Sequence, residues 1–580
     1  MNTGPATPAA SDELRSTGSD GLRYAIDRLI ARGPRVFGWG WIAEAGRAIE
    51  SLALTLEGDG WRRTLPVTCG LARPDVEEAW PQLTGAGSSG FVVTGYVEDS
   101  PARSITLEVR YADGGVRAID VTASVERASA GGSRRLRALG YLVRAVGRRL
   151  ARGDLRGIAE RAAAQNYAAA SLEDASVRRA LVARIGGGGI GGDAGISGGT
   201  RVVIVFDHNM GGGANVYRRD VIAGYVAAGR DVLLCTYNFP TLDYRVEHCA
   251  SSETQGGIYR AGSYLALEPI LDALTVDEMF VNSPVSFDEP LAFAEWLAGL
   301  REAKSAMRLT IAVNDYFAVC PSFVLLNAEG RYCGIPALSE CARCLAAHRA
   351  SWMALSPPSA IGPWRAIWGR CLGVADEVRC FSQSSRELIL RAWPALADGH
   401  VTVVPHRVDY APPRLPSIDH RAPLAVAVVG QISPQKGAEI VRDLVLRADR
   451  EELPLKVVVI GALDLRVESK RLTVTGRYRR EDLADLIEAH GINMALFPSI
   501  CPETFSYVVE ELVRLGVPIV AFDLGAPGER LRGDANARLC GEVSAAAALE
   551  TLVAFHRELA ATQVAALRQP MPGAALVDHR

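Results

Sequence analysis

The chain has 580 residues, 48% of them hydrophobic, and a formal net charge of −3. This length predicts three or more domains with large cores, and the near-neutral charge excludes bulk attraction to nucleic acid. Apolar runs stay shorter than the 18 residues of a membrane-spanning helix. The polar start lacks the apolar core of a secretory signal, so we expect residues 1–20 to be a disordered tail and the eleven cysteines to be reduced thiols in the cytoplasm.

An all-β domain is predicted over residues 21–125. Apolar and polar positions alternate there around Asp-Gly turns, as they do in hairpins. We interpret the pattern as a β-sandwich accessory domain. Its tryptophans are more typical of a core than of a sugar-stacking surface; they are Trp39, Trp41, Trp61 and Trp80.

Residues 126–199 are predicted to be a basic helical segment followed by a linker. Ten arginines fall between Arg127 and Arg161, interleaved with leucine and valine. A basic amphipathic helix of this kind either lies on an anionic membrane surface or packs between domains, and the sequence leaves both open. Ile185–Gly199 has the composition of a flexible glycine linker.

A first α/β domain is predicted over residues 200–415. From Arg201 the chain gives an apolar strand, a glycine-rich turn and a helix. Such a turn lets backbone amides approach a ligand closely, although a tight turn without a ligand is the alternative. The turn residues are Gly211, Gly212, Gly213, Ala214 and Asn215. Later in the domain, Ser384 or Ser385 is expected to cap a helix.

Four cysteines within 25 residues stand out in the same domain. They are Cys320, Cys333, Cys341 and Cys344. Thiols grouped in this way predict a structural zinc site. The alternative is that they are small buried core residues, because only one pair has the short spacing of a zinc knuckle.

A second α/β domain is predicted over residues 416–545, because strands alternate with helices there. Gly430, Gly461, Gly476 and Ser499 fall at strand ends, where parallel sheets bind their ligands. Lys436 lies in the first turn of this domain.

The most informative stretch of this domain is Cys501–Pro527, where Glu503 and Glu511 flank a helix predicted to begin near Pro502 or Thr504. The free amides of that helix start form an anion site between the two carboxylates. The layout fits a nucleotide-sugar, with the sugar at Glu503, the phosphates at the amides of Thr504–Ser506, and the ribose at Glu511.

Together these motifs resemble glycosyltransferases of family 4, which retain the anomeric configuration and have the two-Rossmann GT-B fold. The likeness covers residues 424–535 best. The family's paired glutamates match Glu503 and Glu511, and its phosphate-binding lysine matches Lys436. Where the family usually has arginine this chain has Gln431, so Arg407 or Arg477 would supply the missing charge.

The first α/β domain resembles the acceptor-side domain of the same enzymes, whose glycine-rich loop faces the donor. Asn314 stands where many members have histidine, which favours a role in specificity. Asp315 either binds a substrate hydroxyl or has a structural turn role. The resemblance thus implies catalytic roles for Lys436, Glu503 and Asp315. The implied donor-binding residues are Gly212, Gly213, Asn215, Gly430, Gln431, Arg477, Thr504, Phe505, Ser506 and Glu511.

We therefore predict a retaining hexosyltransferase that needs no catalytic metal and uses a nucleotide-diphosphate sugar. Its acceptor would be a lipid-linked or growing surface glycan, such as O-antigen, capsule or exopolysaccharide. A cytoplasmic position, peripheral on the inner face of the cell membrane and near other assembly enzymes, is expected. Residues 546–580 are expected to cross back to the first α/β domain as a helix, followed by a tail.

Two alternatives remain open from the sequence. A non-catalytic glycan-binding scaffold of a polysaccharide assembly complex would explain Gln431 and Asn314. A nucleotide-sugar epimerase on the same fold is disfavoured, because it needs neither the β domain nor the basic helices.

Overall fold

The computed structural model describes residues 21–32, 34–71, 73–97, 102–127, 169–186, 201–239, 241–250, 256–396, 399–408, 410–465 and 467–568. The predicted order of a β-rich domain followed by two Rossmann-like domains is confirmed. The predicted tail, the arginine-rich helices and most of the glycine linker fall outside these residues and stay predictions. Within the described ranges, no helix combines the length and the apolarity needed to cross a membrane.

The N-terminal domain is an eight-stranded sheet with the order β7-β6-β3-β4-β5-β2-β1-β8. Neighbouring strands pair antiparallel, except that β1 and β8 are parallel. The Asp-Gly turns predicted from sequence join β3 to β4 and β6 to β7. The elements are β1 Leu22–Arg32, β2 Arg35–Glu44, β3 Ile49–Gly58, β4 Trp61–Leu71, a helix Pro74–Ala79, β5 Gly90–Tyr96, β6 Ser104–Tyr111, β7 Val116–Asp120 and β8 Val125–Arg127.

This sheet curls over a main core, and a second, smaller buried cluster contains Trp41 and Val76. Side chains from distant strands, such as Leu29 on β1 and Leu107 on β6, share a single buried cluster. The Thr122–Ser124 turn contacts both of these strands. The antiparallel β domain is therefore as predicted, with its layers formed by one continuous sheet and not by two separate ones. Trp41 is fully buried, as expected for a core tryptophan.

The first α/β domain has a nine-stranded sheet with the order β17-β16-β15-β14-β10-β11-β12-β13-β9. Parallel pairing runs from β11 through β10 to β17, and β12 is antiparallel to both of its neighbours. The strands are β9 Ala170–Ser171, β10 Val202–Asp207, β11 Asp231–Asn238, β12 Asp243–Cys249, β13 Ile258–Ala261, β14 Val276–Val281, β15 Arg308–Ala312, β16 Glu377–Cys380 and β17 Val401–Val403. The helices are Ala175–Ile185, Gly213–Ala227, Glu268–Ala273, Pro290–Ala303, Leu338–Ala347, Ile361–Val374 and Gln383–Ala392.

Two elements of this domain lie in the segment predicted to be basic helices ahead of the domain: a short strand, which was not predicted, and a helix. Strand β9 pairs with β13, and the helix Ala175–Ile185 follows it with Asp174 as its cap. Leu172, Leu181 and Ile185 are buried in the core of the domain. The sequence did not assign this segment to the domain, because local pattern does not reveal a pairing made with a strand about 90 residues later.

The second α/β domain has a six-stranded parallel sheet with the order β20-β19-β18-β21-β22-β23. This is the doubly wound order of nucleotide-binding folds, in which ligands bind where the order reverses, between β18 and β21. The strands are β18 Leu424–Ile432, β19 Leu455–Leu463, β20 Leu472–Val474, β21 Met494–Phe497, β22 Ile519–Phe522 and β23 Ala537–Cys540. The helices are Ala438–Arg450, Leu483–Ala489, Tyr507–Arg514, Gly525–Leu531 and Ala545–Arg568.

The last helix, Ala545–Arg568, packs on the second α/β domain, so the predicted crossover to the first domain is wrong for the described part of it. Leu549, Leu552 and Phe555 are buried against that domain's sheet and the helix Ala438–Arg450. The core of the second domain therefore includes its own C-terminal helix.

Arg35 joins the β domain to the first α/β domain. It is fully buried, and its Nη2 donates to the carbonyls of Ser286 at 2.6 Å and of Phe287 and Leu355 at 3.3 Å. Its guanidinium lies 4.1 Å from the ring centroid of Tyr96, whose hydroxyl also donates to Phe287 O. The two domains thus share a buried, hydrogen-bonded interface.

Candidate active site

A cleft of about 250 Å³ lies between the two α/β domains, at the carboxyl ends of their strands. Crevices at this edge are where doubly wound sheets bind ligands. The first domain contributes its glycine-rich turn and the loop after β15, and the second contributes Lys436 and the loop after β21. The predicted residues that line the cleft are Gly213, Asp315, Lys436, Glu503, Thr504, Phe505 and Ser506. Asn314 lines it as well.

The glycine-rich turn leads into the helix Gly213–Ala227. Gly211 and Gly212 have φ values of +89° and +83°, which side chains rarely tolerate. Asn215 holds the turn, because its Oδ1 accepts from Gly211 N at 2.6 Å and its Nδ2 donates to Asp207 Oδ2 at 2.8 Å. Asn215 is therefore a buried support beneath the cleft, and the amides at the helix start face the cleft.

A buried polar network under this turn was missed in the sequence. Arg218 Nη1 donates to Asp207 Oδ2 and to His208 O, both at 3.0 Å. Burial raises the pKa of Asp207 to about 6 and lowers the pKa of His208 to about 4. The sequence contains a signal for this network, because Asp207 and His208 lie at the end of strand β10. Polar residues at the end of a parallel strand are candidates for a ligand site.

Asp315 is half-buried at the wall of the cleft, and desolvation raises the pKa of its carboxyl. Ser283 Oγ donates to Asp315 Oδ2 at 2.6 Å, and Phe317 N donates to Oδ1 at 2.8 Å. The nearby charge of Asp315 favours protonation of His208, against the effect of burial. Asp315 therefore lines the cleft and closes a turn, and its charge acts on the buried His208 nearby.

Glu503 and Lys436 lie beside each other on the second-domain wall of the cleft. Lys436 Nζ lies 3.7 Å from Glu503 Oε1, with the lysine side chain 47% exposed and the glutamate 13% exposed. Within the described residues, Glu503 Oε1 is buried without a hydrogen-bond donor. A buried carboxylate oxygen of this kind is suited to accept from a ligand hydroxyl.

The helix after Glu503 begins later than predicted. It runs over Tyr507–Arg514, and Ser506 caps it by accepting from Val509 N at 3.3 Å. An added Cβ at Gly213 would lie 3.4 Å from the Tyr507 ring, so the starts of two helices meet at the cleft. Their free amides and dipoles both favour an anion there.

Two contacts connect the domains beside the cleft. Thr504 Oγ1 donates to Asn314 O at 2.9 Å. His406, in the connection between the domains, stacks between the rings of Tyr217 and Phe505 at centroid distances of 4.3 and 4.4 Å. Burial lowers the pKa of His406 to about 3, so this ring is neutral at physiological pH.

Glu511 is buried deeper in the second domain and pairs with an arginine that the sequence did not single out. Arg480 Nε lies 2.6 Å from Glu511 Oε1, and the guanidinium lies 4.5 Å from the ring centroid of Tyr410. Burial raises the pKa of Glu511, while Arg480 lowers it. The predicted ribose carboxylate is thus engaged by Arg480 in this structure.

Other predicted donor residues do not line the cleft. Gly430 lies at the end of β18, where an added Cβ would lie 3.9 Å from Val508 of the cleft wall. Gln431 is exposed and its Nε2 lies 3.4 Å from Asp464 Oδ1. Arg477 and Arg407 are exposed. The arginine that approaches the proposed nucleotide side is Arg480, three positions after Arg477.

The four clustered cysteines do not form a zinc site in the described structure. Across the described ranges, no three His, Cys, Asp or Glu side chains come together as metal ligands. Cys341 is buried and accepts weakly from Arg365 Nη2 at 3.8 Å, and burial raises the pKa of Cys320 to about 12. Cys320 and Cys333 pack against the domain core, which supports the alternative that these are core thiols. The predicted helix cap is also corrected, because Ser382 caps Gln383–Ala392.

Two Rossmann-like domains facing each other over a cleft define the GT-B class of fold. Residues 423–556 match the family model described as "Glycosyl transferases group 1". The match covers the second α/β domain and the first half of its C-terminal helix. No curated protein matches the chain.

Several solved structures are similar at low identity. Sucrose-phosphate synthase from Thermosynechococcus elongatus is 15% identical, with 63% of this chain and 98% of that chain covered and a TM-score of 0.40. Anabaena Alr3699/HepE in complex with UDP and glucose is 15% identical, with 63% and 95% covered and a TM-score of 0.38. The catalytic domain of starch synthase IV from Arabidopsis thaliana, bound to ADP and acarbose, is 13% identical, with 62% and 93% covered and a TM-score of 0.36. At these scores we take neither substrate nor mechanism from them.

Proposed function

We propose that this chain is a retaining glycosyltransferase that moves a sugar from a nucleotide diphosphate to a lipid-linked or growing surface glycan. The observation that carries the proposal is the convergence of Lys436, Glu503 and two helix starts on one interdomain cleft. The family match of the second domain supports the glycosyltransferase class.

The diphosphate would lie between the two helix starts. Lys436 and the free amides after Gly212 and Ser506 would stabilise the negative charge that develops as the sugar leaves. These groups are fixed before the reaction, because Asn215 holds one turn and Ser506 caps the other helix. The proposal needs no catalytic metal, since protein groups supply the positive charge.

Glu503 would bind the hydroxyls of the donor sugar. Its buried oxygen beside Lys436 can accept a hydrogen bond, which fixes the sugar next to the diphosphate. Asp315 and Asn314 would face the sugar from the opposite domain. By the resemblance to family 4, the leaving diphosphate would itself take the acceptor proton, which gives retention.

Glu511 would bind the ribose once Arg480 moves aside. The guanidinium of Arg480 lies over the ring of Tyr410. A cation–π contact with this ring would stabilise the arginine after it leaves Glu511. Closure of the domains about the His406 stack would then exclude water and favour transfer over hydrolysis.

The test is turnover of a nucleotide-sugar panel by the full chain, with and without a lipid-linked sugar acceptor. We expect acceptor-stimulated nucleotide release and a product whose anomeric configuration, read by NMR, matches that of the donor. Lys436→Ala and Glu503→Gln should lose most of this rate, while Lys456→Ala, an exposed lysine outside the cleft, should not. Donor binding without turnover would favour the scaffold, and sugar conversion without nucleotide release would favour the epimerase.

A further inference from the structure

A carboxylate of the second α/β domain caps a helix of the first. Glu529 lies on the helix Gly525–Leu531, which contacts the helix Gln383–Ala392 of the first domain. Gln383 N donates to Glu529 Oε1 at 3.0 Å, and Ser384 N donates to Glu529 Oε2 at 2.7 Å. The free amides and the positive dipole end of a helix start favour a carboxylate in this position. Both oxygens of Glu529 are thus bonded across the boundary between the domains.

On the second-domain side, the helix that carries Glu529 is joined to the backbone of Glu503. Ala526 N donates to Glu503 O at 2.9 Å. Gly525 has a φ of +60°, and an added Cβ there would lie 2.7 Å from Pro502 Cα and 2.8 Å from Glu503 O. The helix start therefore packs against this loop with no room for a side chain. A shift of the helix would displace the backbone that holds the Glu503 carboxyl in the cleft.

On the first-domain side, the capped helix start is joined to the opposite wall of the cleft. Ser385 N donates to Ser382 Oγ at 3.2 Å, and the hydroxyl oxygens of these two serines lie 2.8 Å apart. The Ser385 hydroxyl also lies 3.2 Å from the hydroxyl of Tyr316, which is buried and belongs to the cleft wall. Glu529 therefore completes a chain of contacts from Glu503 on one wall to Tyr316 on the other.

We propose that Glu529 is a positioning residue: with the amides of Gln383 and Ser384 it forms a clasp that seats the two α/β domains and fixes Glu503 relative to the first-domain wall. The inference rests on the proposed function, in which the reacting sugar lies between these walls. The clasp is charge-assisted, whereas the contact of Thr504 with a backbone carbonyl beside the cleft is neutral, so the clasp is the stronger of the two. Transfer depends on this seating, because a misplacement of about 1 Å can lower a rate about a hundredfold.

The test compares Glu529→Ala with the wild-type full chain by hydrogen exchange and mass spectrometry. We expect faster exchange in the peptide that begins the capped helix and also in the cleft peptides that contain Tyr316 and Glu503. The kcat for transfer should fall about tenfold, whereas the affinity for UDP, GDP, ADP or dTDP should change less than about threefold. Glu550→Ala, which alters an exposed glutamate of the last helix, should change none of these. Faster exchange at the helix start alone, with the cleft peptides and kcat unchanged, would show that Glu529 is only a cap and would overturn the proposal.

Gln383→Pro tests the clasp from the other domain. Gln383 is the first residue of its helix, where proline is well tolerated, and the substitution removes the amide that donates to Glu529 Oε1. This variant should also speed exchange around Glu503, and it should add little to Glu529→Ala in the double variant. Fully additive effects would show that the two residues act separately and would overturn the clasp.

The exchange measurement separates this inference from the proposed function, because it needs no substrate. A wild-type chain without transferase activity would contradict the proposed function alone if Glu529→Ala still speeds exchange on both walls of the cleft. An active chain whose cleft exchange and kcat ignore both Glu529→Ala and Gln383→Pro would contradict the clasp alone.

Discussion

At the residue scale, the paired glutamates of the second α/β domain have different environments. Glu503 lies beside the exposed Lys436 at the cleft, whereas Glu511 is buried and pairs with Arg480. A buried carboxylate that lost its cation would be left with an uncompensated charge. Arg480 thus has a role in stability besides any role in donor binding.

We predict that Arg480→Ala destabilises the folded chain by about 1–3 kcal/mol at pH 8 and by less at pH 5. Burial already raises the pKa of Glu511 above its ordinary value of 4.5, and losing Arg480 raises it further. A carboxyl whose pKa is raised by folding favours the folded state at low pH, and this contribution is lost as the pH rises through the folded-state pKa. Urea unfolding at the two pH values measures the difference.

The control for this prediction is Arg479→Ala, because Arg479 is the adjacent arginine and its side chain is 75% exposed. It should change stability little at either pH. Equal effects of the two substitutions, or an Arg480→Ala effect that does not grow with pH, would contradict the pairing.

Single residues also mark the limit of what the sequence predicts. Lys436 and Glu503 were found because a turn and a helix start bracket them. Asp207 and Arg218 were not predicted as site residues. Their roles come from hydrogen bonds beneath the glycine-rich turn, which join residues that no motif groups together. The pairing of Glu511 with Arg480 joins positions 31 residues apart, and no local pattern encodes it.

At the element scale, the glycine-rich turn is the part of the site most sensitive to backbone conformation. Gly212 has φ +83° and ψ −171°, a region almost restricted to glycine, and no atom would obstruct an added Cβ. We predict that Gly212→Ala strains the turn by about 1–3 kcal/mol and weakens nucleoside diphosphate binding about tenfold. Calorimetry and thermal unfolding separate the two effects.

Gly224→Ala is the matched control. Gly224 lies within the same helix, its Cβ would meet open space, and alanine there should stabilise the helix by about 0.5–1 kcal/mol. If Gly212→Ala binds nucleotide as well as Gly224→Ala does, the turn does not contribute to the anion site.

The cysteine-rich segment gives a second prediction at this scale. Cys320 and Cys333 pack against the domain core, which favours the alternative of core thiols, so protein purified without chelator should contain well under one zinc per chain. Cys341→Ser should then lower the free energy of unfolding only because it places a hydroxyl in a buried position, and not because a metal is lost. One equivalent of zinc that is released by Cys341→Ser would restore the original prediction.

Helices and strands were predicted correctly where the local pattern of apolar residues matches the structure that the fold imposes. The β18–β23 region alternates apolar strands, glycine turns and helices, and its parallel sheet follows that alternation. The same reasoning missed β9, whose two residues form a strand only because β13 lies beside them. The same reasoning also predicted that a helix begins near Pro502. In the structure Ser506 caps that helix, which begins at Tyr507.

At the scale of the whole molecule, the halves before and after the glycine linker are not independent. Arg35 and Tyr96 of the β domain bond to the first α/β domain, and Leu172 and Leu181 complete that domain's core. A fragment that begins at Thr200 would therefore lose part of the core of its first α/β domain.

We predict that a Thr200–Arg580 fragment is less stable than an Ala169–Arg580 fragment by roughly 5 kcal/mol. The shorter fragment lacks Leu172, Leu181 and Ile185, and burying each such side chain contributes about 1.5–3 kcal/mol. Thermal unfolding of both fragments measures the difference. Identical melting temperatures would show that β9 and its helix are dispensable for the fold of this domain.

The central claim is that the cleft between the two α/β domains binds a nucleoside diphosphate at Lys436. Calorimetric titration of the full chain with UDP, GDP, ADP and dTDP tests it most directly. We predict that at least one binds, that Lys436→Ala weakens this binding about tenfold or more, and that Lys456→Ala leaves it unchanged. If none of the four binds to the folded chain, or if Lys436→Ala binds as tightly as the wild type, the account is contradicted.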